Sequence, residues 1–84
     1  LISVEEASDI QRKILRILYA WGLEHFDKFM TKEELISRLG RGDIDREVLD
    51  LKEKEMVEIA PDENWKAIRI TPKGVQTLRL LDII

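Results

Sequence analysis

The chain has no cysteine, only two prolines and four glycines, a single histidine, and no apolar run long enough to cross a bilayer. Each shortage removes a class of protein. Without cysteine there is neither a disulfide framework nor a thiolate zinc site, a composition that suits a reducing cytoplasm, the expected location. His25, in an apolar segment, reads as a core or surface residue rather than a catalytic base, and no thiol is there to act as nucleophile. Ser3, Ser8 and Ser37 have no recognisable base partner. The acidic pairs Glu5-Glu6, Glu33-Glu34 and Asp62-Glu63 are adjacent in the chain, so their carboxylates diverge instead of facing one substrate. Gly40 and Gly42 stand between two helical patterns rather than between a strand and a helix, which excludes a phosphate-binding loop. No segment has the spacing of a calcium loop. The chain is therefore expected to be no enzyme and to use neither a metal nor another cofactor.

What is present is a chain of 84 residues, 44% apolar and 37% charged, with a net charge of −3. That is one globular domain spanning 1–84, with room for a single core but not for a core plus a deep substrate cavity. The first residues lack the pattern of a signal peptide. The start at Leu1 and the apolar end read as those of a domain excised from a longer chain. Residues 1–7 form an N-terminal extension to which no element is assigned.

The stretch 31–57, TKEELISRLGRGDIDREVLDLKEKEMV, reads as two helices joined by a tight turn. Thr31 and Glu34 have capping-box spacing, Leu35, Ile36 and Leu39 share a face, and Gly40 can end the helix in a left-handed conformation, which gives a first helix over 32–39. After the turn Gly40-Arg41-Gly42-Asp43, Ile44 is expected to tuck inward. Asp45 or Asp43 caps a second helix that turns Val48 and Leu51 to the core.

Upstream, Ser8 and Gln11 form another capping box. It opens a long helix through about residue 24, with Ile10, Ile14, Ile17, Leu18 and Trp21 on one face. Leu15 and Tyr19 widen that stripe beyond what one neighbour covers. Irregularly spaced Leu23, Phe26 and Phe29 read as a loop pinned to the core, with a very short strand at 29–30. Downstream the period changes from helical to alternating: 56–60 reads as a strand, 61–64 as a turn and 65–70 as the returning strand, with Ile68 and Ile70 inward. Thr71 then caps a last helix with Pro72 at its first position and Gly74 allowing close approach to a neighbour. Val75, Leu78 and Leu81 form its inward stripe, broadened by Leu80, Ile83 and Ile84. The expected class is mainly α with a small β-hairpin, in the order helix, strand, helix, helix, strand, strand, helix.

That order, the KEKEMVEIA run, the hairpin and the ITPKG that begins the last helix resemble the winged helix-turn-helix regulators of the MarR and PadR kind, over residues 8–84. The resemblance implies a winged helix that binds specific sequences of duplex DNA to regulate transcription. The second helix of the 31–57 unit would enter the major groove, the wing would sit beside it in a minor groove, and the terminal helices would make a dimer. Glu55 stands where such regulators usually have glycine, so that helix end is expected to be made differently.

Charge refines the expectation. From Arg41 to Glu55 four basic residues face six acidic ones, and phosphate contacts dominate non-specific affinity. The segment after residue 61 is richer in cations, so the grip on phosphate is expected from Lys66, Lys73 and Lys32, with Lys54 of the KEKE run as a further contact. Arg41 and Arg46 flank the start of the recognition helix, Arg46 being placed for a guanine edge. Asp50 lies on the same outward face, and Asn64 with Trp65 approaches the neighbouring groove. The bland readings are a Trp65 that covers the core edge and a winged helix that binds protein in a larger assembly through Leu49 and its acidic neighbours. The wide apolar stripes call for a homodimer or a neighbouring domain, and no membrane partner is expected.

Overall fold

A computed structural model describes residues 8–25, 28–60 and 65–82. The elements follow the expected order: α1 (Asp9–Glu24), β1 (Met30–Thr31), α2 (Lys32–Leu39), α3 (Asp45–Glu53), β2 (Val57–Ile59), β3 (Ala67–Ile70) and α4 (Pro72–Asp82). The fold is mainly helical with one small antiparallel sheet. Its strands run β1-β3-β2, so the short strand does not stand alone but extends the hairpin to three strands. Met30 pairs with Ile68 and Thr31 with Ala67 on one side of β3, while Val57 pairs with Ile70 and Ile59 with Ile68 on the other. β1 begins one residue later than expected, and β2 and β3 are shorter. Among the described residues no helix is long and apolar enough to cross a membrane.

Local chemistry accounts for most helix ends. Ser8 accepts from the backbone N–H of Gln11 while the Gln11 side-chain oxygen accepts from that of Ser8, a complete capping box. At α2 only half of the box forms. Thr31 Oγ1 accepts from the Glu34 N–H, but the Glu34 carboxylate turns to Arg38 Nε one turn on, at 2.6 Å. Gly40 closes α2 at φ 86°, the left-handed conformation that its missing Cβ permits.

The start of α3 departs from the expected cap. Ile44 occupies the N-cap position, where it makes no side-chain cap, because its apolar side chain is needed in the core. Neither aspartate replaces it. Asp43 is held by Arg41, and Asp45 is drawn to the indole of Trp65.

At the end of α3 the chain turns through Glu55 at φ 64°, so the conformation usually given to glycine is made by a glutamate. The turn is pinned by Thr71 Oγ1, which donates to the Glu55 carbonyl at 2.6 Å. An L-residue in the left-handed region carries about 1–2 kcal/mol of strain. Glu55→Gly is therefore expected to raise stability by about 1 kcal/mol after the entropy cost of glycine, read as a higher urea midpoint at unchanged slope.

One core joins all the elements. Ile14, Leu15 and Leu18 of α1 meet Leu35 of α2, Ile44, Val48 and Leu51 around α3, Met30 and Ile68 of the sheet, and Leu78 of α4. Leu15 is 0% exposed, so the wide stripe is indeed covered by more than one neighbour, but these lie in the same chain, and Leu15 does not call for a second copy or another domain. Tyr19 also packs against this core, whereas Leu80 is left 61% exposed. Phe26, Ile83 and Ile84, also named for apolar contacts, lie outside the described residues, and so does Asn64.

Candidate nucleic-acid interface

Turning Val48 and Leu51 inward leaves Arg46, Leu49, Asp50 and Glu53 together on the outer surface of α3, where they line one shallow depression. Arg46 is exposed and has no ion-pair partner among the described residues. Leu49 beside it is 50% exposed, an unusual place for a leucine on a short helix otherwise dominated by charge. Of the six carboxylates between Arg41 and Glu55, the three aspartates are engaged within the chain. Arg41 Nε and a terminal guanidinium nitrogen donate to the two oxygens of Asp43, each at 2.9 Å, a fork that closes the turn before α3.

Asp50 is held from two sides. Gln11 Nε2 donates to it at 2.8 Å, and Lys54 Nζ, one turn on, lies 3.0 Å away. Gln11 is 4% exposed and also donates to the Glu47 carbonyl, so the residue that caps α1 reaches across to fasten α3. The spacing of Ser8 and Gln11 announces the cap. Nothing local announces the second role, since Asp50 is 39 residues away.

A second depression lies beside the start of α3 and includes Lys32, Asp45, Trp65 and Lys66. Trp65 is 6% exposed, which places its ring in the core and not in solution beside a groove. Its Nε1 donates to Asp45 Oδ1 at 2.7 Å, and Lys32 Nζ lies over the ring at 4.9 Å and 3.5 Å from the same Asp45 oxygen. An indole N–H needs an acceptor when buried, and this pairing supplies one while tying the segment that enters β3 to the starts of α2 and α3. The main chain repeats the tie, with the Lys32 N–H donating to the Lys66 carbonyl at 2.7 Å.

The expected contacts therefore fall into groups. Lys32 and Lys66 share a depression beside the start of α3. Arg46 and Asp50 share the outer face of that helix. Lys54 serves Asp50, and Arg41 serves Asp43. Lys73 is exposed in the first turn of α4 and lines neither depression.

Three aspartates titrate below the ordinary carboxylate range. Asp43 is lowered first by its hydrogen bond from Arg41, Asp45 by that from Trp65, and Asp50 by those from Gln11 and then Lys54. A carboxylate whose pKa is lower folded than unfolded adds stability above its unfolded value, about 3.9, and that gain disappears as pH falls through the folded value. Asp45→Asn removes one such group. The variant is expected to have a lower urea midpoint than the wild type at pH 7, with the difference shrinking as pH falls below about 4. A difference that stays constant over that range would contradict the role given to the Asp45 charge.

No protein-family model matches the chain, and comparison with curated proteins and with solved structures gives no match.

Proposed function

We propose that the domain is a winged helix-turn-helix module of a cytoplasmic transcriptional regulator. In this reading it binds duplex DNA with α3 in the major groove and the β2–β3 hairpin beside it. The observation that carries the reading is the state of the charges around α3. Asp43, Asp45 and Asp50 are each engaged by a partner in their own chain, while Arg46 is exposed on the outward face without an ion pair among the described residues. Three of the six carboxylates that weigh against a DNA contact are thus held within the chain, and one guanidinium remains available for the two acceptors of a guanine edge. The glycine-ended α2, the short α3 and the antiparallel strands that follow support the same reading.

Lys32 and Lys66, together beside the start of α3, are assigned to phosphates, with Lys73 as a separate contact. Trp65 acts as a support that orients Lys32 and is not a stacking platform. Its sequence neighbour Asn64 keeps its proposed contact with the adjoining groove.

Anisotropy of labelled duplex DNA, titrated with the domain at several salt concentrations, tests this. Affinity is expected to fall steeply with salt. On a preferred site Arg46→Ala should cost about 1–3 kcal/mol and relax sequence preference, whereas Lys66→Ala should weaken every sequence alike. Equal losses for both variants on all sequences would overturn the assigned roles. One observation favours a second reading, a module that docks on protein: Leu49, half exposed at the centre of the α3 face. That reading predicts no DNA binding even at low salt.

A further inference from the structure

We infer that the outer face of α3 is self-complementary and pairs two copies of this chain in an antiparallel, twofold-symmetric contact. Arg46 and Glu53 lie two turns apart on the outward face, at equal distances from its midpoint between Leu49 and Asp50. Both are exposed, and neither has an ion-pair partner among the described residues. A twofold axis through that midpoint, perpendicular to α3, sets Arg46 of each copy against Glu53 of the other and satisfies all four charges at once.

The same operation brings Leu49, 50% exposed, against Leu49 of the second copy, which removes the one large apolar side chain on this surface from water. The flanks agree in sign: Asp45 on one edge faces Lys52 of the other copy. Asp50 approaches its own copy across the axis, but its carboxylate is already held by Gln11 and by Lys54 at 3.0 Å, so the repulsion is screened. A parallel pairing has none of this, since it opposes Arg46 to Arg46 and Glu53 to Glu53.

One face of a nine-residue helix buries much less than the area of a standard stable interface. The dimer is accordingly weak, with dissociation on the order of 100 μM at low salt. While it persists, α3 is withheld from any other ligand, and the inference holds whatever that ligand is.

Sedimentation equilibrium of the whole chain, from about 10 μM to about 1 mM, tests the pairing. The wild type should dimerise at low salt, and Leu49→Asp should abolish this. Arg46→Glu and Glu53→Arg should each raise the dissociation constant by at least about tenfold, because each places like charges across the axis. Two further results are specific to the antiparallel register. The double variant R46E/E53R should recover wild-type association, and an equimolar mixture of the two single variants should form a heterodimer that neither forms with itself. Both positions are exposed, and unchanged far-ultraviolet circular dichroism would show that the variants fold. A wild type that remains monomeric at about 1 mM, or single reversals that associate as well as the wild type, would overturn the inference.

Discussion

Replacing Gly74 by alanine is expected to destabilise the domain by about 3 kcal/mol or more, even though alanine is the better helix former by about 1 kcal/mol. A Cβ at this position would stand 2.2 Å from the Met56 carbonyl oxygen, 2.7 Å from Ile70 Cγ1 and 3.1 Å from the Met56 carbonyl carbon. The first of these neighbours is backbone and is held in place. The Met56 carbonyl accepts from the Thr71 N–H at 3.1 Å, the Met56 N–H donates to Leu51 at 3.0 Å, and Thr71 Oγ1 accepts from the Gly74 N–H. Relief of the clash requires α4 to separate from the junction of α3 and β2, which breaks both bonds that cross it, from the Thr71 N–H to the Met56 carbonyl and from Thr71 Oγ1 to the Glu55 carbonyl.

A domain of this size has a total stability of roughly 4–13 kcal/mol, so the loss is a large share of it. It corresponds to a fall in melting temperature of roughly 12–24 °C, measured by circular dichroism. A Gly74→Ala protein that melts at or above the wild-type temperature would show that α4 does not make this approach.

The second large effect is expected at Trp65. Truncation to alanine should cost about 3–5 kcal/mol, because the ring is almost fully buried and its loss leaves a cavity in the core. Trp65→Phe keeps most of the apolar contact and loses the 2.7 Å hydrogen bond to Asp45, so it should cost about 1–2 kcal/mol. The two variants thus separate packing from the polar tie between sheet and α3. Urea unfolding followed by far-ultraviolet circular dichroism is the appropriate readout, since the substitution removes one of the two tryptophan fluorophores. If Trp65→Ala left the midpoint unchanged, the indole would have to be dispensable to the core, and a role at the surface would become the better account of it.

Local signals along the chain are enough to set the order of the elements and most of their ends. Ser8 with Gln11, Thr31 with the Glu34 N–H, Gly40, and Thr71 with Pro72 act within three or four residues, so their geometry follows from helical or turn spacing alone. The alternation after residue 56 likewise marks the paired strands, and a glycine in the first turn of α4 marks the close approach at Gly74. The outward set on α3 was legible for the same reason, since the positions of Val48 and Leu51 fix which residues lie opposite.

The tertiary structure decided which of these residues are free. Asp45 looked like a cap and is an acceptor for an indole 20 residues away; Gln11 looked like a cap alone and also holds Asp50 across 39 residues. Trp65 became core, Leu15 found its cover within the chain, and Glu55 took a left-handed turn that no local signal favours. Each of these outcomes depends on which distant groups arrive at the same place. A periodic pattern records the direction a side chain leaves its own helix or strand, but not what meets it there.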